Sequence, residues 1–316
     1  SKKLNETLIK DLELKLGEFF SDKIEEFIAS LSLKKEKIEA IGSHGQTIKH
    51  EPNSIPPVSL QIGNPQLISN KLGIKTIANF RDDDIAKGGQ GAPLSPIFHK
   101  EVFAKENKKR VIINIGGITN ISLLGGVELL GFDTGPGNCL LDIWTKKNKK
   151  GNYDNEGNWA KAGTVDQDLL DIMMKDNYFS LEPPKSTGPD YFNLSWLQDC
   201  LMKLKREIDP RDTQATLVEL TASSLSNSLK RLKIVNENIY ICGGGVHNKF
   251  LMSRISFLLG EKCYTTDKLG LDPDYIEAIC FAWLAYKRVN NIKFNMSAIT
   301  GSNEKVFLGK VYLPTK

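Results

Sequence analysis

Between Phe80 and Leu94 the chain reads Phe80-Arg81-Asp82-Asp83-Asp84-Ile85-Ala86-Lys87-Gly88-Gly89-Gln90-Gly91-Ala92-Pro93-Leu94. Three consecutive carboxylates follow a short β-like segment, Lys75 to Phe80, and precede a Gly-Gly-Gln-Gly turn. Acids at the end of a strand beside glycines are placed as a general base facing a ligand would be. The carboxylates supply basicity, and residues without side chains let another molecule approach the backbone. Taken alone, Asp82-Asp83-Asp84 reads as a solvated acidic loop, the usual fate of a charge run. The following turn reverses that reading, because an ordinary surface turn has no need of three glycines and a glutamine.

Other glycine turns point to anion chemistry. Asn114-x-Gly116-Gly117-x-x-Asn120 lies in a tight hairpin that leaves N–H groups for phosphate oxygens. Alone it reads as an ordinary hairpin before a phosphate cradle, and Gly243-Gly244-Gly245, a strand-to-helix turn followed by His247 and Asn248, likewise reads first as an ordinary turn. Thr134-Gly135-Pro136-Gly137-Asn138 is a third such turn, with Asp133 at the strand end before it. Asp133 has two readings, a ligand to a magnesium-bound water or an Asx-turn cap. His44 sits in a Ser43-His44-Gly45-Gln46 turn, while His50 and His99 show no partner in the sequence. Glu277, flanked by Ile276, Ala278, Ile279 and Phe281, reads as a charge inside an apolar helix face, which needs a partner or a ligand. No Ser or Cys stands with a His and an acid at spacings that indicate a hydrolytic triad. The four tryptophans, at 144, 159, 196 and 283, read as core anchors before sugar platforms.

The elements that must position these groups follow from periodicity. Leu4, Leu8, Leu12, Leu16, Phe19, Phe20, Ile24, Phe27 and Leu31 predict one amphipathic helix or two in tandem. Lys37 to Ile41 predicts a strand, Asn53 to Pro57 a loop, Pro65 to Gly73 a short helix and Ile97 to Lys105 another. Val111 to Ile115, Ile118 to Leu124 and Val127 to Phe132 predict a three-stranded meander joined by glycine turns. Helices are expected at Val165 to Lys175, Leu194 to Lys205 and Asp212 to Lys233. A strand at Asn238 to Cys242, a helix from about Asn248 and a long helix from Asp274 to Arg288 complete the reading. The charged break at Lys105 to Arg110 is the expected boundary between lobes, 1–108 and 109–316. This is an α/β pattern.

Composition narrows the class. With 316 residues, 40% of them hydrophobic, the chain can bury two sizeable cores. A net charge of +4 with scattered lysines and no aromatic-interleaved basic stripe argues against a nucleic-acid partner. Five widely spaced cysteines, none in a Cys-x-x-Cys pair, argue against a disulfide framework and a zinc site and suit a reducing cytoplasm. The longest uncharged run, Val111 to Val127, carries glycines and asparagines, so it is expected as a buried hairpin and no membrane partner is expected.

Read together, these motifs resemble the anhydro-N-acetylmuramic acid kinase family. The Phe80 to Leu94 segment is similar to that family's signature. Ile41 to Thr47, Asn114 to Asn120, Gly131 to Asn138, Lys185-Ser186-Thr187-Gly188-Pro189-Asp190, Cys242 to Asn248 and Glu277-Ala278 match in the same order. The resemblance runs from about Ile38 onward. It implies a two-lobed actin-like ATPase fold with ribonuclease H-like lobes, the last long helix lining the cleft between them. It implies ATP as co-substrate, magnesium with it, an amino sugar as the other partner, a cytoplasmic enzyme, and leaves a homodimer open. It also implies Asp84 as the base that activates water, with Asp82 as the alternative, and His44, Gln46, Gln90 and Glu277 on the sugar. Gly116, Gly117, Asn120, Asp133, Gly135, Gly137, Asn138, Gly243, Gly244, Gly245 and Asn248 would serve the nucleotide. Two other functions compete: a binding protein of the same fold without catalysis, and a kinase for an ordinary free sugar. The family opens with a Met-Ser-Gly-Thr-Ser-x-Asp-Gly-type hairpin around the ATP phosphates. No such segment occurs in these 316 residues, so an incomplete first lobe and weak turnover are expected of the chain as given.

Overall fold

The computed structural model describes residues 6–106, 108–125, 129–234, 238–260 and 263–315. Leu4 and Val127, which the expected first helix and third meander strand include, lie outside them. The chain divides into two compact units, residues 1–91 with 278–316, and residues 92–277.

The first unit opens with α1 (Glu6–Ser30), a single continuous helix rather than two. Short strands follow, β1 (Ile41–Gly42), β2 (Gln46–Glu51) and β3 (Val58–Ile62), then α2 (Pro65–Leu72), β4 (Thr76–Ala78) and α3 (Asp82–Ala86). Asn64 caps α2 by accepting the Leu67 N–H at 2.9 Å, and Gly73 ends it at φ +68°, where a left-handed residue closes the last turn. Ile28, Ile68, Leu72 and Ile74 bury the apolar faces of α1 and α2 together. The β2–β3 antiparallel hairpin was not expected, since only its connecting loop carried a clear signal.

The second unit begins with α4 (Ser95–Phe103) and the meander β5 (Arg110–Ile115), β6 (Ile118–Leu124) and β7 (Leu130–Pro136). Helices α5 (Asn138–Lys147), α6 (Asn158–Lys161), α7 (Gln167–Met174), α8 (Leu194–Leu204) and α9 (Pro210–Arg231) precede β8 (Asn238–Cys242), α10 (Lys249–Leu259) and β9 (Cys263–Thr265). The sheet order is β7-β6-β5-β8-β9, with β5, β6 and β7 antiparallel and β8 and β9 parallel to β5. That is the ribonuclease H-like arrangement. Ile113, Ile115, Ile121, Phe132 and Ile241 from the sheet and Leu217, Leu220 and Leu225 from α9 share its core. Helix α9 is buried over most of its length although it carries many threonines and serines, because their hydroxyls find acceptors. Thr216 and Ser228, for instance, donate their hydroxyls to carbonyls one turn back.

Helix α11 (Ile276–Val289) carries the chain from the second unit back to the first, where β10 (Phe294–Asn295), α12 (Ser297–Thr300), β11 (Lys305–Val306) and β12 (Lys310–Tyr312) follow. β12 pairs antiparallel with β4, and β1 pairs parallel with β4 on its other side. The division thus falls elsewhere than at residue 108. Helix α4 joins the second unit because Ser95 and His99 hydrogen-bond Asn120 and Ser122 of β6. The C-terminal residues join the first unit because β12 completes its sheet. Among the described residues no helix is long and apolar enough to cross a membrane.

Candidate functional site

In the first unit the acidic triplet forms the first turn of α3 rather than a loop at a strand tip. Each carboxylate has its own attachment in the C-terminal segment. Asp82 accepts from Lys310 Nζ at 2.6 Å and from Asn79 Nδ2 at 3.1 Å, and Asp83 accepts the Phe307 N–H at 2.8 Å. Asp84 is fully buried. Its Oδ2 accepts the Gly91 N–H at 2.7 Å and its Oδ1 accepts the Thr300 hydroxyl at 2.7 Å. Burial pushes the Asp84 carboxyl above the usual range, the two hydrogen bonds pull it back, and Asp83 adds a smaller upward push. Burial thus makes the Asp84 carboxylate readier to accept a proton than an exposed aspartate would be.

The glycine loop shapes this carboxylate's surroundings. A Cβ on Gly89 would overlap the Asp84 carboxylate, lying 2.6 Å from Cγ and 2.7 Å from Oδ1. Gly88 and Gly91 take positive φ values of +82° and +72°, so the turn needs glycine for its backbone as well. Gln90 is anchored through its N–H to the Thr300 carbonyl at 2.9 Å.

Arg81, beside the triplet, organises two histidines that the sequence left apart. Its guanidinium lies 3.1 Å from His44 Nε2 and 3.4 Å from His50 Nδ1. His44 Nδ1 donates to the Gly45 carbonyl at 2.9 Å, and its ring lies 4.5 Å from that of Phe281 on α11. Burial and the Arg81 charge push His44 down to about 4 and His50 down to about 3, so both rings are neutral. His50 is not without a partner, as the sequence had left it: Ser59 lies 3.0 Å from its Nδ1. Gln46 is exposed at the start of β2, with its amide turned onto the Thr47 carbonyl at 3.2 Å.

In the second unit the glycine turns gather at one end of the sheet. The Gly116 and Gly117 carbonyls accept the N–H groups of Gly137, Asn138 and Cys139 at 2.9–3.1 Å. The Gly116 N–H donates to the Ile118 carbonyl at 3.2 Å. The Gly116 N–H, expected to face phosphate, is thus spent inside the protein, and the carbonyls of the β5–β6 turn cap the start of α5. What the turn offers instead is space. A Cβ on Gly116, Gly117 or Gly244 would meet nothing closer than 3.6 Å, and none of the three has a positive φ. The fold itself does not require glycine there, whereas close approach of a ligand does. Gly243 and Gly245 differ, since a Cβ on either would overlap Asn114 or Ile115. Gly135, within β7, pairs with Thr119. Asn248 caps α10 by accepting the Leu251 N–H at 2.9 Å, and His247 pairs with Asp274 at 2.8 Å.

Asp133 and Asn120 are register partners on β7 and β6, and both are buried. Asp133 Oδ2 accepts the Thr187 N–H at 3.0 Å, a long-range bond. The same loop presents Lys185, which burial lowers to about 8, with its ammonium over the Tyr178 ring and donating to the Tyr178 carbonyl at 3.2 Å. Glu277 is exposed in the first turn of α11, not enclosed in an apolar face. Ile276, Cys280 and Leu284 supply that helix's buried side. Its charge still acts on Cys242 at the end of β8, whose thiol is pushed up mainly by burial. His99 likewise has a partner, Ser122 Oγ at 2.8 Å. Thr300, Arg81 and Thr187 were not singled out as functional residues. Arg81 and Thr187 lay within recognised motifs, whereas nothing in the sequence linked Thr300 to residues more than two hundred positions earlier.

Sequence comparison agrees with these motifs. Residues 2–314 match the family described as anhydro-N-acetylmuramic acid kinase. A protein of that name from Pasteurella multocida (strain Pm70) is 47% identical over 305 residues, 96% of this chain and 81% of the relative. One from Saccharophagus degradans is 44% identical over 308 residues, 96% of this chain and 83% of the relative. Among solved structures, the activator of the 2-hydroxyisocaproyl-CoA dehydratase from Clostridium difficile with bound ADPNP aligns with a TM-score of 0.39 at 16% identity, covering 80% of this chain and 94% of its own. The ethanolamine utilization protein EutJ from Carboxydothermus hydrogenoformans aligns with a TM-score of 0.35 at 12% identity, covering 68% and 57%. With its motifs in order and the family match spanning nearly its whole length, the chain belongs to the anhydro-N-acetylmuramic acid kinase family.

Proposed function

We propose that the protein is an ATP-dependent kinase that opens 1,6-anhydro-N-acetylmuramic acid with water and phosphorylates it, giving N-acetylmuramic acid 6-phosphate and ADP, in cytoplasmic recycling of peptidoglycan. Within the family match, the observation that carries this reading is Asp84, a buried carboxylate with a raised proton affinity beside a turn of glycines. A glycosidase ordinarily pairs an acid that protonates the leaving oxygen with a base that activates water. Here the leaving oxygen is O6 of the bridge, and the γ-phosphoryl group of ATP takes the acid's part by bonding to it. The C1–O6 bond breaks, water oxygen bonds to C1, and Asp84 takes the water's proton. One prominent base is enough.

Asp82 is the weaker claimant, because its carboxylate is tied to Lys310. His44, Gln46, Gln90 and Glu277 are assigned to the sugar. Neutral His44 suits a sugar hydroxyl, since it can exchange hydrogen bonds without a charge. Gly116, Gly117, Asn120, Gly135, Gly137 and Asn138 are assigned to the phosphates, Gly116 and Gly117 by the space they leave. Gly243, Gly244, Gly245 and Asn248 are assigned to the adenosine. Asp133 and Asn120 are hard oxygen donors in register, the type magnesium prefers through water. Magnesium on the ATP phosphates would neutralise charge as the phosphoryl group transfers.

The test is a ³¹P NMR assay with ATP and the anhydro-sugar. Appearance of ADP and a sugar 6-phosphate in equal amounts is expected. ATP bound but unconsumed would mean a non-catalytic relative, and phosphorylation of free N-acetylmuramic acid in preference to the anhydro-sugar would mean an ordinary sugar kinase.

A further inference from the structure

The C-terminal segment is threaded along the acidic motif from one end to the other. The Thr300 carbonyl accepts the Gln90 N–H at 2.9 Å, and the Asn303 N–H donates to the Lys87 carbonyl at 2.9 Å. Phe307 and Lys310 hold Asp83 and Asp82. Of these attachments only one reaches the Asp84 side chain, the Thr300 hydroxyl at 2.7 Å from Oδ1. Thr300 is itself buried, at the last position of the four-residue helix α12. Its Oγ1 also lies 3.2 Å from the Met296 carbonyl. A hydroxyl has a single hydrogen, so these two acceptors compete for it.

We propose that Thr300 is a positioning residue for the Asp84 base, aiming the carboxylate and keeping it ionised until water attacks. This inference rests on the assignment of Asp84 as that base. While Asp84 is a carboxylate it is the stronger acceptor, being charged and closer, and it holds the Thr300 hydrogen. When Asp84 takes the proton from the attacking water, its demand for that hydrogen falls and the hydroxyl turns to the Met296 carbonyl. Neither state leaves the buried hydroxyl without an acceptor. Without Thr300 the carboxylate keeps, among the described residues, only the Gly91 N–H at Oδ2, so Oδ1 loses both its anchor and the donor that opposes the upward effect of burial. Thr300 acts through Asp84.

The experiment compares Thr300→Val, Thr300→Ala and Thr300→Ser in the full chain, measuring kcat against pH with saturating ATP and anhydro-sugar, and the thermal midpoint of each. A hydrogen bond to a charged group corresponds to a shift of about one to two pH units. The acidic limb of the kcat profile should therefore move up by that much in Thr300→Val and Thr300→Ala, with plateau kcat reduced and both KM values held. Thr300→Ser, which keeps the hydroxyl, should restore the original limb. An unmoved limb in folded Thr300→Val or Thr300→Ala would overturn the proposal, as would a limb in Thr300→Ser displaced like theirs. Asp84→Asn in the same assay separates the two claims. If Asp84→Asn keeps near-normal turnover, the base assignment falls and this inference with it. If Asp84→Asn is inactive while the Thr300 limbs stay put, only the role of Thr300 falls.

Discussion

Adding one methyl group at Gly89 tests the Asp84 geometry without touching a titratable residue. Gly89 has no positive φ, so alanine is acceptable to its backbone. The obstacle is the base itself, because the new Cβ would lie 2.6 Å from Asp84 Cγ and 2.7 Å from Oδ1. Ordinary contact between such atoms is roughly 3.5 Å, so loop and carboxylate must separate by about 1 Å. A displacement of about 1 Å at a reacting group costs on the order of 10²-fold in rate. Overpacking adds a stability cost of about 1–3 kcal/mol, because Asp84 is buried and hydrogen-bonded on both oxygens. Steady-state kinetics of Gly89→Ala should show kcat down by about 100-fold, the KM for ATP nearly unchanged and a lower melting temperature. A folded Gly89→Ala with normal kcat would refute the reasoning, since no base held this closely could tolerate the methyl group.

Gly244→Ala is the converse case. The fold has room for the Cβ, so stability should hold or rise, yet ATP affinity by calorimetry should fall roughly tenfold, on the scale of one lost hydrogen bond. Glu277→Gln should weaken anhydro-sugar binding, by about 1.5–3 kcal/mol if a charged hydrogen bond is lost, and leave ATP binding alone; equal losses for both ligands would remove Glu277 from the sugar site. His44, His50 and His99 have folded pKa values depressed to about 4, 3 and 3, so the folded chain binds fewer protons than the unfolded one below pH 6.5. Their contribution to stability is present above pH 6.5 and declines as pH falls toward 4, by up to about 1.4 kcal/mol per pH unit for each histidine. Urea midpoints measured from pH 7 to pH 5 should fall accordingly, and a flat profile would contradict the neutral, buried placement of these rings.

Long, periodic elements were legible in the sequence because each carries its own signal. Asn64 and Gly73 mark the ends of α2, and Asn248 marks the start of α10. The β5–β7 meander showed in its apolar runs and glycine turns. The β2–β3 hairpin did not, because strands such as Gln46–Glu51 mix polar and apolar residues without clear alternation. The Asp triplet was read as standing at a strand's end beside the glycine turn, whereas it forms the first turn of a short helix, which three acids in sequence do not announce. Elements of two to four residues near the C-terminus, α12 and β12 among them, are defined by tertiary contacts rather than local propensity. The attachment of residues 278–316 to the first unit was therefore not readable, and neither was Thr300. Glu277 misled for a related reason: apolar neighbours in sequence do not say which side of a helix is buried.

The central claim is that Asp84 activates water at C1 while ATP captures O6. A single turnover in H₂¹⁸O, with the product analysed by mass spectrometry before the sugar ring exchanges its anomeric oxygen, tests it most directly. The account predicts one ¹⁸O at C1 and none in the phosphate for the unaltered protein. It predicts formation of this labelled product slowed by about 10²–10⁴-fold in Asp84→Asn. Sugar 6-phosphate formed without ¹⁸O at C1, or labelled at a normal rate in Asp84→Asn, would contradict it.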